Sequence, residues 1–265
     1  MTGEIKKNTL RIGTSGYSFA DWVGPFYPKG TEKGKMLDYY CGFFSTVEIN
    51  STYYRIMHPR VSWNIVNKTP EDFDFMVKLH ASMTHSRDAT PEQWDQYGKM
   101  LEPFKESRKL AGLLAQFPYS FKPSEPAVRY VEELNERTGS VTLAVEFRYD
   151  EWYDEGILRR LSGDGMALVS VDLPGLPHLP PPVPVGGSPF GYLRMHGRNT
   201  ARWWEGGPLR YDYTYSDQEL AAWFPAIDRL GEGSGTVFVM FNNCHFGQAV
   251  RDAIRLKELF TGEEK

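Results

Sequence analysis

Glu48 and Asn50 stand two residues apart, and the same spacing recurs in Lys78 and His80, Glu146 and Arg148, and Arg194 and His196. In an extended strand that spacing puts both members of a pair on one face. Each pair lies at or near the end of an apolar run, and Ser15, Gln116, Asp172 and Asn242-Asn243 end others. If those ends meet, one site holds carboxylates, cations, amides and imidazoles together. Carboxylates beside a lysine or histidine can move protons at neutral pH, and forked guanidiniums suit carboxylate or phosphate. Burying ions for stability alone gains little, because desolvation costs several kcal/mol per ion and pairing often only breaks even. Glu48 and Glu146 are therefore the expected proton-transfer groups, with Lys78 and His196 as electrostatic or acid partners. Ser15, Tyr17, Asn50, Tyr53, Gln116, Arg148, Asp172, Arg194 and Asn242 are expected to hold the substrate. The competing expectation is plain charge balance, Glu48 against Lys78 and Glu146 against Arg194.

The elements that would carry these residues alternate along the chain. Strands are expected at Leu10 to Ser15, Val47 to Ser51, Phe73 to His80, Leu110 to Phe117, Thr142 to Arg148, Met166 to Asp172, Tyr192 to His196 and Thr236 to Phe241. Helices are expected at Lys35 to Phe44, Pro59 to Asn67, from Thr90-Pro91 onward, at Ser124 to Arg137, Gly156 to Leu161, Ser216 to Leu230 and Gly247 to Phe260. Thr90 and Ser216 are natural N-caps, the latter with Glu219 completing a capping box. Eight strands alternating with about seven helices point to an α/β fold, a TIM-type (β/α)8 barrel, whose active site lies at the C-terminal strand ends. The irregularity is Pro174 to Pro189, too rich in Pro and Gly for a helix, which replaces the helix after strand six. One domain over residues 1–265 is expected, since no composition break marks a linker. A doubly wound open sheet is the runner-up, but no GxGxxG fingerprint follows the first strand.

Composition narrows the function classes. Of 265 residues 41% are hydrophobic and 24% charged, which supports a sizeable core. The net charge of -4 does not suit a bulk nucleic-acid binder. Cys41 and Cys244 are far apart and form no CxxC pair, which fits a reducing cytoplasm. The N-terminus lacks the apolar core of a signal peptide, and no run nears the ~20 apolar residues of a membrane span.

Glu48, Glu146, Asp172 and His196 are ligand types that would admit a divalent metal, but Lys78, Arg148 and Arg194 compete for the same carboxylates. No metal site or cofactor is assigned. Anion binding is the better-supported component, since the last strand leads through Asn242-Asn243 and Gly247 into a helix N-terminus. Tyr17, Trp22, Tyr53, Trp203 and Trp204 fall in loops that should rim the mouth, where rings either stack on a ligand or plug the barrel. Arg202-Trp203-Trp204 is the expected lid.

Thr14-Ser15-Gly16-Tyr17, Phe26-Tyr27-Pro28, Val47 to Tyr54, Thr84-His85, Glu146-Phe147-Arg148, Arg194-Met195-His196-Gly197 and Phe241-Asn242-Asn243 resemble the YecE-like family along nearly the whole chain. The resemblance implies a TIM-type barrel distantly related to xylose-isomerase-like and endonuclease-type barrels, without an assigned reaction. The chain departs from that pattern at Cys244, where an acidic residue is usual, and at Asp252, where Asn is common. The function expected is acid/base chemistry on a small anionic metabolite such as a sugar or sugar phosphate. The alternatives are metal-dependent phosphodiester hydrolysis on nucleic acid, which is not favoured, and non-catalytic binding.

Overall fold

Eight parallel strands make one sheet in the structure, a computed structural model that describes residues 9–186 and 189–262. They are β1 (Thr9–Thr14), β2 (Thr46–Ile49), β3 (Asp74–Lys78), β4 (Leu110–Gln116), β5 (Leu143–Glu146), β6 (Ala167–Asp172), β7 (Gly191–Met195) and β8 (Thr236–Phe241). The order runs β1, β8, β7 and on down to β2. The two ends of that order meet at an isolated parallel bridge between Ser15 and Glu48, so the barrel is nearly closed. Gly13 permits the approach: a Cβ there would lie 2.4 Å from the Thr46 carbonyl oxygen, a distance at which one backbone must move.

Side chains divide by strand parity. Met76, Leu114, Ala144, Ala167, Val169, Val171, Tyr192, Phe238 and Met240 form a buried cluster that contains no helical residue and fills the barrel. Val47, Ile49, Val77, Leu113, Val145, Leu168, Leu193 and Val239 face the other way and pack against the helices. Burial of each large apolar side chain contributes about 1.5–3 kcal/mol, so every strand is held in register from both faces.

The described helices are α1 (Met36–Tyr40), α2 (Ser51–Tyr54), α3 (Pro59–Val66), α4 (Ala81–Thr84), α5 (Pro91–Glu106), α6 (Glu125–Thr138), α7 (Glu155–Gly163), α8 (Asp217–Ala221), α9 (Phe224–Glu232) and α10 (Gln248–Thr261). Thr90 and Ser216 cap as their sequence context predicts, each completing a capping box. Several bounds change: the first helix stops at Tyr40, and the fifth strand stops at Glu146, short of Arg148. The second strand stops at Ile49, and Ser51 already begins α2. The third stops at Lys78, and His80 caps α4 by accepting from the Ser82 amide at 3.2 Å. The helix expected over Ser216 to Leu230 divides into α8 and α9, with Pro225 in the first turn of α9, where its missing N–H does no harm. After β6 no helix occurs among the described residues, as the Pro-rich composition predicts. The chain itself takes the helix's place: Val185 donates its amide to the Ser170 hydroxyl at 2.9 Å, and Gly186, at φ +79°, lies against Leu168.

Candidate active site

Parity decides which polar residues meet. Glu48 is sandwiched between outward-facing Val47 and Ile49 and so points into the barrel. By the same alternation Lys78 follows Met76, Gln116 follows Leu114, Glu146 follows Ala144, and Arg194 follows Tyr192. At the C-terminal end Glu48, Glu146 and Arg194 form one network, with the Lys78–Gln116 pair beside it. Arg194 grips Glu48 with both ends of its fork, Nη2 to Oε1 at 2.7 Å and Nε to Oε2 at 2.9 Å. The Tyr192 hydroxyl donates to the same Oε2 at 2.5 Å. The remaining Arg194 nitrogen, Nη1, donates to Glu146, whose other oxygen accepts from Arg148 Nε. Ser15 Oγ lies 3.3 Å from Arg194 Nη2. Glu48, Glu146 and Arg194 are all at most 1% exposed.

The charge states follow. Burial by itself would raise the Glu146 carboxyl, but Arg148, Arg194 and His196 outweigh it and hold the group well below the usual carboxylate range. His196 is pushed down to about 3, chiefly by burial and then by the Arg148 charge, so the imidazole is neutral. Its Nε2 lies 3.3 Å from Glu146 Oε1, and its Nδ1 faces the Asn242 amide nitrogen at 3.0 Å. That pattern assigns the proton to Nε2. A carboxylate saturated by guanidiniums and a histidine that stays neutral are poor proton carriers at pH 7.

Lys78 differs from its neighbours. It donates to Gln116 Oε1 at 2.8 Å and lies 4.6 Å from the Tyr53 ring centroid. Among the described residues it forms no ion pair, although the other charges of the network are matched, Arg148 and Arg194 against Glu48 and Glu146. Burial, then Arg194 and Arg148, push its amine down to about 7, against the opposing pull of Glu48 and Glu146. The expected Glu48–Lys78 pair is therefore replaced by Glu48–Arg194, while Glu146 pairs with Arg194 as expected and with Arg148 as well. His85, next to Lys78 in charge and 4.8 Å from Tyr53 between ring centroids, is likewise pushed down to about 4, by burial first.

Beside the network lies a cavity of about 480 Å³. Ser15, Asn50, Asn242, Tyr211 and Arg210 are among the residues that line it. Its volume suits a small ligand. Asn50 donates to the Ser15 carbonyl at 3.3 Å. Arg210 Nε donates to the Gly207 carbonyl at 2.9 Å, and Arg210 forms no ion pair among the described residues. A second cavity, about 390 Å³, is lined by Leu10, Ile12, Phe43, Phe44 and Phe260 together with Asp72 and Lys257.

Two expected residues are not brought to this network. Asp172 has the parity of Leu168 and Ser170 and faces outward. There it accepts from Arg198 at 2.6 and 2.8 Å, Trp223 Nε1 at 2.6 Å and the Tyr215 hydroxyl at 3.0 Å. It anchors the loop after β7 to the helices. Tyr17 joins an aromatic group with Tyr27 and Tyr40, its backbone carbonyl accepting from the Tyr27 hydroxyl. The four expected metal-ligand types therefore do not converge: Asp172 faces away, and the oxygens of Glu48 and Glu146 are engaged. Among the described residues no group of three or more His, Cys, Asp or Glu is placed to hold a metal. Of the expected lid, Trp203 is 3% exposed and packs onto the barrel interior, while Trp204 is 50% exposed and meets Tyr119. Tyr192, His85 and Arg210 were not anticipated. Tyr192 shares the period of Arg194 and His196 and could have been found by extending it one step back.

The family model described as "Protein of unknown function DUF72" matches residues 11–265. The chain belongs to the DUF72 family. The UPF0759 protein YunF of Bacillus subtilis (strain 168) is 32% identical, over 94% of this chain and 94% of that one. The crystal structure of a DUF72 family protein from Thermotoga maritima is 38% identical with a TM-score of 0.88, covering 96% of this chain and 99% of that one. A DUF72 family protein of Enterococcus faecalis V583 is 25% identical at a TM-score of 0.85, covering 97% of each. The near-closed barrel is thus shared with solved DUF72 structures.

Of the two positions that depart from the YecE-like pattern, Cys244 is on the cavity wall and Asp252 lies on α10. Cys244 is driven well above the ordinary thiol range by burial, so it is a thiol and not a thiolate. Asp252, on α10, accepts from the Asn243 amide at 2.7 Å and the Tyr215 backbone amide at 3.1 Å, both on Oδ2, and burial pushes it up to about 6. A carboxyl raised on folding favours the native state most below its unfolded value near ~4, and this contribution is lost as pH rises through about 6. One oxygen accepts both bonds, so an amide can replace the acid. Asp252→Asn is expected to stabilise the protein by about 1–3 kcal/mol at pH 7.5 and by almost nothing at pH 4. Urea titrations at the two pH values check this, and a gain that does not change with pH would contradict it.

Proposed function

We propose that the protein is an enzyme that moves a proton on a small anionic substrate held at the C-terminal mouth of the barrel. The observation that carries this reading is Lys78: a half-buried amine with no carboxylate partner, in a network where the neighbouring charges are matched. With its amine near 7, Lys78 can both accept and return a proton at neutral pH. Glu48 and Glu146, the groups first expected to carry the proton, hold Arg194 and Arg148 in place instead. Arg210, with the Asn50 and Asn242 amides on the cavity wall, supplies donors for an anion. Sugar-type substrates follow only from the resemblance to YecE-like proteins and their relation to xylose-isomerase-like barrels.

Non-catalytic binding is favoured by one observation, the saturation of both glutamates, but it gives no role to an unpaired amine. Metal-dependent phosphodiester hydrolysis draws no support from a donor set already engaged by guanidiniums.

Thermal shift tests the reading, since a ligand of the native state raises apparent stability. Sugar phosphates and short carboxylates are expected to raise the melting temperature by several degrees, and their uncharged parent sugars and alcohols to leave it unchanged. Arg210→Gln and Lys78→Met should each weaken the anion response at least tenfold in concentration. Equal responses to charged and uncharged compounds, or none to either, would overturn it.

A further inference from the structure

Resting on the reading that an anion binds at this mouth, we propose that the Lys78 amine attacks a carbonyl carbon of that anion and holds it as an iminium. The substrate class is thereby narrowed to small anionic aldehydes and ketones.

The surroundings of Lys78 fit a nucleophile better than a structural ammonium. Gln116 Oε1 takes one N–H and orients the amine without engaging its lone pair. No described carboxylate pairs with it to hold it as an ammonium. Arg194 on β7 and Arg148 beyond β5 oppose a further positive charge, and Glu48 and Glu146 favour one, but those two are engaged by the guanidiniums. His85 is neutral, and Tyr53 presents its ring. With the amine pushed down to about 7, the unprotonated form is well populated at neutral pH, against roughly one part in three thousand for an ordinary lysine. This is the setting in which a desolvated lysine beside other cations forms Schiff bases.

The step balances without a redox partner. The Lys78 lone pair forms the N–C bond, the carbonyl π pair moves to oxygen, and an amine proton transfers to that oxygen, giving a carbinolamine. The hydroxyl takes one proton from solvent and leaves as water while nitrogen forms the C=N bond. One amine, one carbonyl and one proton give one iminium and one water. The iminium carries the charge that an ammonium would have carried, so the Gln116 oxygen and the Tyr53 ring still face a cation. It also acidifies the adjacent C–H, which is where the proton transfer of the preceding section would occur.

Reductive trapping tests this. The full chain is incubated at pH 7 with sodium cyanoborohydride and pyruvate or dihydroxyacetone phosphate, with acetone as the uncharged probe, and adducts are located by peptide mass mapping. Lys78 is expected to be modified at least tenfold faster than Lys99, an exposed lysine paired with Asp95, and at least tenfold faster by the anionic probes than by acetone. Gln116→Glu places a carboxylate on the amine and should slow trapping about tenfold at pH 7, with the melting temperature reporting that the variant is folded. If Lys78 labels no faster than Lys99 while anions still raise the melting temperature, the iminium is refuted and the anion-binding reading stands. If neither occurs, both fall.

Discussion

Arg194→Met is expected to lower the free energy of unfolding by about 3–5 kcal/mol, the usual cost of stripping one partner from a buried ion pair. Arg194 alone accounts for both charge-assisted contacts to Glu48 and for one of the two guanidinium contacts to Glu146. Without it Glu48 keeps only the Tyr192 hydroxyl, and it is wholly buried. Methionine fills similar volume, so the loss reports charge and not a cavity. The pH dependence has a definite sign. Glu146 is depressed on folding, so its contribution is present above the unfolded glutamate value near ~4.3 and disappears as pH falls through the lower folded value. The difference between Arg194→Met and wild type should therefore be largest near pH 7 and shrink below about pH 4. Adding Glu48→Gln should return part of the loss, because it removes the orphaned charge. Urea denaturation at pH 7 and pH 3.5 provides the measurement; a loss below about 1 kcal/mol at pH 7 would mean that water reaches the carboxylates.

Lys78→Met is expected to do the opposite, raising stability by about 1–3 kcal/mol at pH 7 while removing anion binding. The folded protein lowers the Lys78 amine to about 7, so it disfavours the ammonium that the unfolded chain carries freely. Above about pH 10 both states hold a neutral amine and the cost vanishes. Between pH 10 and pH 7 the cost grows, and below pH 7 it is constant because both states are protonated. Taken at face value that shift implies ~4–5 kcal/mol, and partial solvent access reduces it. Methionine escapes the cost, so its gain should fade as pH rises from 7 to 10. A substitution that stabilises the fold and abolishes ligand response marks a residue kept for function. Chemical denaturation at pH 7, 8.5 and 10 reads the trend, and a gain that grows with pH would sink the assignment.

The barrel was legible because apolar runs of strand length alternate with capped helical segments, and because Thr90, Ser216 and the Pro-rich stretch after Asp172 each have a local physical meaning. Inward-facing Glu48 was legible too, since Val47 and Ile49 flank it and must face the helices. Asp172 was not. Its strand, Ala167 to Asp172, is buried on both faces, so burial does not tell inside from outside, and only packing of Leu168 and Ser170 against the chain outside the barrel settles it. Pairing across the barrel was also out of reach. Arg194 meets Glu48 across a separation of 146 residues, and which cation reaches which carboxylate depends on strand tilt and stagger, which the alternation of side chains does not encode. The roles proposed for Glu146 and Lys78 differ from those expected for the same reason: a carboxylate becomes a holder or a carrier of protons according to who its neighbours are.

The bridge from Ser15 to Glu48 closes the barrel where backbone pairing is sparsest. Arg194, on β7 two strands away from β1, holds Glu48 and reaches Ser15, the two residues on either side of that join. The charged network is therefore a clasp, and Ser15 and Asn242, which it touches, carry it to the cavity wall. A ligand that draws on Arg194 loosens the clasp, and one that adds a negative charge near Lys78 tightens it. Occupancy of the mouth should then be audible far from the ligand, as altered amide hydrogen exchange along β1 and β2, a mechanical readout of binding that needs no knowledge of the substrate.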